Sequence, residues 1–152
     1  MRKTKILVVD DKPENIVTLA NLIAAPDVET LSATSGNDAL GLLLGHEFAL
    51  ALLDVQMPGI SGFELARLMR EADCSRAVPI IFVTASEASR KSVFEGYEQG
   101  AVDYLLKPLE PHIVRSKVRV FVELDQKTQA LKIERQVLAQ KLLEVEGLKA
   151  AA

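Results

Sequence analysis

Only one cysteine, Cys74, occurs in the 152 residues. An intramolecular disulfide is thereby excluded, and the chain suits a reducing compartment. The thiol lies between a helix signal and a strand signal with no histidine nearby, so it reads as structural rather than reactive. Long apolar runs are also missing. After the basic N-terminus only Ile6 to Val9 follow before Asp10, which is too short for a signal-peptide core. No stretch approaches the roughly 20 apolar residues of a membrane span. The expected location is cytoplasmic, with no membrane partner. There is no long block of lysine and arginine, and the net charge is -3, so a dedicated nucleic-acid surface is not expected. Internal repeats and low-complexity tracts are absent as well.

Apolar and charged residues make up 49% and 26% of the chain, a globular composition in a length that suits one domain with a substantial core. Ile6-Leu7-Val8-Val9 reads as a strand buried on both faces, ending in Asp10-Asp11. Pro13 suits a first helical position, with Ile16, Leu19, Ala20 and Ile23 at helical spacing before Pro26. Val28–Ala33 reads as a second strand, and Ser35-Gly36 opens a helix that Gly45 closes. Phe48–Leu53 reads as a third strand ending at Asp54. The loop from Val55 to Gly62 follows, then a helix carrying Leu65, Leu68, Met69 and Ala72. Ile80–Thr84 is the fourth strand, Glu87–Gln99 a weaker helix, and Ala101–Leu106 the fifth strand, closed by Lys107-Pro108. Alternation of this kind predicts an α/β fold with a parallel sheet covered on both faces and right-handed crossovers.

In such sheets function gathers at the carboxyl ends of the strands. Asp10, Asp11, Asp54, Thr84 and Lys107 all fall there. Three carboxylates on one rim resist joint ionisation, so the site either keeps a proton or holds a cation. A hard divalent ion with oxygen ligands, Mg²⁺, is the simplest answer. Lys107 adds a second positive charge and Thr84 a hydroxyl that can donate to a phosphoryl oxygen. Phosphoryl transfer needs mainly that positioning and charge neutralisation. Asp54 is the best candidate for the nucleophile: it is alone on its strand, and Pro58, Gly59 and Gly62 in the next loop leave room for a substrate.

Leu7-Val8-Val9-Asp10-Asp11, Leu53-Asp54-Val55-Gln56-Met57-Pro58-Gly59, Phe82-Val83-Thr84-Ala85 and Asp103-Tyr104-Leu105-Leu106-Lys107-Pro108 together resemble the response-regulator receiver family of two-component signalling. The resemblance covers about Lys5 to Val122. It implies a flavodoxin-like, doubly wound five-stranded sheet of order 2-1-3-4-5. It also implies that Asp54 takes phosphate from a phosphohistidine on a histidine kinase or phosphotransfer protein. By motif position, Asp11, Asp54 and the backbone carbonyl of Gln56 bind Mg²⁺ directly and Asp10 through water. Thr84 and Tyr104 are the switch pair, Ala85 leaves access to the phosphoryl group and offers its N–H, and Lys107-Pro108 matches a bond that is frequently cis. Every matched catalytic position holds the expected residue type. A haloacid-dehalogenase-type phosphatase fits poorly, because the second aspartate of its Asp-x-Asp is replaced by Gln56 after Asp54 and by Lys12 after Asp10.

His46 and His112 have no partner at ligand spacing and read as structural. Arg115, Lys117 and Arg119 are flanked by acidic residues and read as a solvated face. From Glu110 to about Leu148 the only glycine or proline residues are Pro111 and Gly147. Val114, Phe121, Thr128, Arg135 and Leu142 share one heptad position, and Leu124, Leu131, Leu138 and Val145 another. This predicts a final helix that covers the sheet and continues as a coiled coil. The domains are accordingly a receiver at 1–122 and a helical linker at 123–152, with a parallel homodimer through the last helix. The run into the heptads resembles receivers that precede another signalling module, so the chain is expected to be a fragment of a longer protein. The competing expectation is a dimerisation scaffold with an idle acidic site.

Overall fold

The computed structural model describes residues 2–85 and 103–151. Five strands, β1 (Thr4–Val9), β2 (Val28–Ala33), β3 (Leu50–Asp54), β4 (Ile80–Thr84) and β5 (Asp103–Leu106), form one parallel sheet in the order β2-β1-β3-β4-β5. The described helices are α1 (Pro13–Ile23), α2 (Gly36–Gly45), α3 (Gly62–Glu71) and α4 (Pro111–Ala151). The helix expected at Glu87–Gln99 and the start of the fifth strand at Ala101 lie outside the described residues. The third strand begins at Leu50 rather than Phe48. Phe48 is buried ahead of the strand, and Ala49 N–H donates to the Lys5 carbonyl at 2.9 Å.

Strand periodicity sends alternate side chains to opposite faces. Leu7, Val9, Ala51, Leu53, Ile80 and Phe82 meet α2 and α3 on one face. Ile6, Val8, Leu50, Leu52, Ile81 and Val83 meet α1 and α4 on the other. Each large apolar side chain fully buried here contributes roughly 1.5–3 kcal/mol. That locks strand register and fixes where each strand ends. Helix starts are set locally. Ser35 Oγ accepts from Asp38 N–H at 3.1 Å and Ser61 Oγ from Glu64 N–H at 3.2 Å, caps of about 1 kcal/mol each.

Arg115 and Arg119 are exposed and Lys117 partly so, as expected of a solvated face, and each is also anchored. Arg115 donates to the Leu22 carbonyl at 3.1 Å. Lys117 donates to Asp103 Oδ1 and the Tyr104 carbonyl, both at 2.9 Å. Arg119 grips both oxygens of Asp27 at 3.0 and 2.8 Å. Their partners are distant in sequence, which is why flanking charges could not reveal them. Val114 is fully buried in the sheet's core and so is taken up there rather than by a coiled-coil seam, and the partly buried Phe121 packs against the same core. Cys74 is exposed in the turn after α3 and belongs to neither core cluster. By contacts the chain divides into Met1–Val122 and Glu123–Ala152. Among the described residues no helix is long and apolar enough to cross a membrane.

Candidate functional site: a carboxylate cluster at the strand ends

The site is assembled by strands that stop together. Buried β1 delivers Asp10, whose N–H donates to the Ala33 carbonyl at the end of β2 at 3.2 Å. Asp54 ends β3 opposite Val83, and the next N–H, that of Val55, donates to the Val83 carbonyl at 3.1 Å. Lys107 N–H donates to the Thr84 carbonyl at 2.8 Å, which places the lysine immediately beyond β5. The Lys107–Pro108 bond is cis.

Carboxylate oxygens of Asp10, Asp11 and Asp54 all lie within 4.8 Å of one another. Asp10 and Asp54 are buried and Asp11 is partly exposed. Lys107 Nζ stands 3.6 Å from Asp10 Oδ2 and 3.8 Å from Asp54 Oδ1. One ammonium therefore faces two carboxylates at the edge of hydrogen-bonding range. Burial, followed by the charge of Asp10, pushes the Asp54 carboxyl up from 3.8 to about 6, while Lys107 and the Gln56 backbone N–H pull it down and Asp11 adds to the rise. The cluster is short of positive charge. Its donors are all oxygens, the set that suits a hard divalent cation such as Mg²⁺.

A cleft of about 130 Å³ opens over this cluster, lined by Asp11, Asp54, Gln56, Thr84, Ala85 and Lys107 among others. The sequence-predicted residues are thus brought to one place, with Asp10 just beneath. Tyr104 stands apart from the cleft. Its buried ring tilts at 39° against Phe82, with centroids 5.7 Å apart, and Phe82 meets Phe63 of α3 edge-on at 4.8 Å. An aromatic row therefore joins β5, β4 and the first turn of α3, and Thr84 lies two residues beyond Phe82.

Two further residues were not legible as site residues. Asn15 Nδ2 donates to Asp10 Oδ1 at 3.4 Å, and Lys12 N–H donates to the same oxygen at 2.9 Å. Asn15 lies five residues after Asp10 and the contact crosses the start of α1, so helical spacing gave no signal for it. Gly62 was expected to leave room for a substrate. It is buried instead, and a Cβ there would lie 2.2 Å from the backbone oxygen of Asp54. The space it leaves is taken by the end of β3 itself, which lets its N–H donate to the Val55 carbonyl at 3.1 Å. The true turn glycine is Gly59, with φ +76°. His46 sits against Lys5 Nζ at 3.0 Å and near the Phe48 ring. His112 is exposed in the first turn of α4. Neither approaches the cluster's cleft.

Residues 6–119 match the response regulator receiver domain family. The chain belongs to that family. Among relatives, PilH of Pseudomonas aeruginosa is 36% identical over 107 residues, covering 70% of this chain and 87% of that protein. The response regulator PleD of Caulobacter vibrioides is 34% identical over 115 residues, 76% of this chain but 25% of PleD. A probable cyclic di-GMP phosphodiesterase of Vibrio cholerae is 33% identical over 118 residues, 78% of this chain and 26% of that protein. The receiver thus spans about a quarter of these two longer relatives. In structure it is similar to a response regulator of Chloroflexus aurantiacus, with a TM-score of 0.74, 29% identity and coverage of 80% and 99% of the two chains. Chemotaxis protein CheY4 of Vibrio cholerae gives a TM-score of 0.72 at 26% identity, with coverage of 78% and 98%. Every residue of the cluster, and Thr84, Tyr104 and Lys107, falls inside the receiver's matched segment.

Proposed function

We propose that this receiver is a phosphorylation switch in which the Asp54 carboxylate accepts a phosphoryl group from a phosphohistidine of a histidine kinase or phosphotransfer protein. The observation that carries this reading is the carboxylate cluster with Lys107 Nζ between Asp10 and Asp54. In the reaction the phosphorus–nitrogen bond of the donor breaks and a phosphorus–oxygen bond to Asp54 forms. The donor imidazole keeps the bonding electrons and takes a proton from water.

Asp54 is the acceptor because it alone of the three acids ends a central strand and opens into the cleft beside Thr84, Ala85 and Lys107. Lys107 offsets the charge of the incoming phosphoryl group as a point cation. The Ala85 N–H and Thr84 hydroxyl, which line the same cleft, would supply donors to it. Asp10, Asp11, Asp54 and the Gln56 carbonyl would hold Mg²⁺, which when bound supplies the positive charge that the cluster lacks. Asp10 is already committed to Lys12 N–H and Asn15, which suits a contact through water. Once Asp54 is phosphorylated, the Thr84 hydroxyl donates to the new oxygens, and the buried Tyr104 ring fills the space behind it. We assign 1–122 to this receiver and 123–152 to a helical linker toward a partner or a downstream output module.

Incubation with acetyl phosphate and Mg²⁺, followed by intact-mass measurement, tests the reading. The expected result is one added phosphoryl group, removed by hydroxylamine as an acyl phosphate, and none without Mg²⁺ or with Asp54→Asn. Equal phosphorylation of the Asp54→Asn protein would refute it.

A further inference from the structure

Glu123–Ala152 forms a unit of its own whose described residues, to Ala151, are all helical. Leu124, Leu131, Leu138 and Val145 recur every seven residues and are 55%, 56%, 60% and 49% exposed. Leu142 lies on the same side of the helix and is 64% exposed. A single helix gains little from leucines left in water; most helical stability comes from packing an apolar face. Counted in heptads from Phe121, the first seam position is filled by Phe121, Thr128, Arg135 and Leu142, and the fourth by Leu124, Leu131, Leu138 and Val145. The structure removes Val114 from this seam and leaves Phe121 only partly available, since they pack into the receiver core. Pairing therefore begins at Leu124.

We infer that a second copy of this chain covers this seam, as a parallel, in-register pair. The charges beside the seam choose the occupant and its direction. In a parallel pair Arg135 lies beside the second copy's Glu134, and Lys141 faces the second copy's Glu146. Each of these contacts occurs twice by symmetry, whereas Lys127 against the second copy's Lys132, and Arg135 against its own copy at the same seam position, are unfavourable. In the antiparallel pairing that overlaps the same seam, Glu134 faces Glu134, Lys132 faces Lys132 and Lys127 faces Lys141, so every charged contact is between like charges. With the seam fully overlapped, the flanking charges thus favour the parallel direction. Arg135 and Thr128 weaken the pairing but fix its register, because a slip of one heptad would set Arg135 against Leu142 or Thr128 and separate it from Glu134.

Sedimentation velocity on the full chain at high micromolar concentration should give a dimer. Leu131→Glu with Leu138→Glu should give a monomer that keeps the receiver's cooperative thermal unfolding by circular dichroism, which shows that the receiver is folded. Glu134→Lys should weaken dimerisation by about tenfold, and adding Arg135→Glu should restore it, because the contact is then reversed rather than lost. In a Cys74→Ser background, Val145→Cys should form a disulfide-linked dimer on mild oxidation, since parallel pairing sets residue 145 beside its own copy. A monomeric wild-type chain, a dimer unaffected by the Leu131→Glu and Leu138→Glu pair, no rescue by the charge reversal, or no cross-link at residue 145 would each overturn the inference. None of these outcomes depends on Asp54.

Discussion

At Asp54 burial and two neighbouring acids act against one lysine, and the carboxyl is held at about 6 instead of 3.8. The consequence for stability has a definite sign. Between those two values the folded chain keeps a proton that the unfolded chain has released, so metal-free stability falls as pH rises through that window. Below 3.8 both states are protonated, and the favourable contribution is fully present. Asp54→Asn removes the charge, so in chelator the variant should unfold at a higher temperature than wild type at neutral pH. The difference should be on the order of 1 kcal/mol after discounting for solvent, and should vanish toward pH 4. Differential scanning calorimetry across that range checks it; a constant difference would assign the effect to something other than ionisation. On the proposed function, Mg²⁺ should raise the melting temperature of wild type, since it would bind only the assembled cluster. Asp11→Ala should remove most of that rise.

At the scale of elements, the strand ends were legible because short apolar runs bounded by polar residues leave little freedom in where a buried strand stops. The runs Ile6–Val9 and Ile80–Thr84 led directly to Asp10 and Thr84 as rim residues. The packing of helices onto that rim was less legible, because it rests on contacts between residues far apart in the chain. Gly62 is the clearest instance. Its neighbours Pro58 and Gly59 make it look like one more turn residue, whereas its missing side chain lets α3 rest on the Asp54 carbonyl. Gly62→Ala should therefore cost about 2–3 kcal/mol, seen as a drop of roughly 10 °C in the unfolding midpoint. A loss within error would mean that α3 shifts freely. Lys117 is similar: its role as a tie between α4 and β5 follows from two 2.9 Å hydrogen bonds that no local pattern encodes. Lys117→Met keeps the aliphatic stem and loses the bonds, so urea unfolding should show a loss of about 1 kcal/mol.

For the whole molecule, the receiver fold places three carboxylates and one ammonium at the same edge, and a row of aromatic rings joins β5, β4 and α3. The parallel sheet makes that convergence possible, since every strand arrives at the rim from the same direction. The order of the strands and the identity of the rim residues could be read from four short motifs. The depth of burial of Tyr104 and its stacking on Phe82 could not, because aromatic contacts across strands depend on register. The most direct test of the central claim is peptide mapping by mass spectrometry after acetyl phosphate and Mg²⁺, with reduction by borohydride to mark the acyl phosphate in place. The account predicts a single modified residue, Asp54, and none in the Asp54→Asn protein. Label on Asp10 or Asp11, or a wild-type chain that takes up no phosphate while remaining folded, would contradict it.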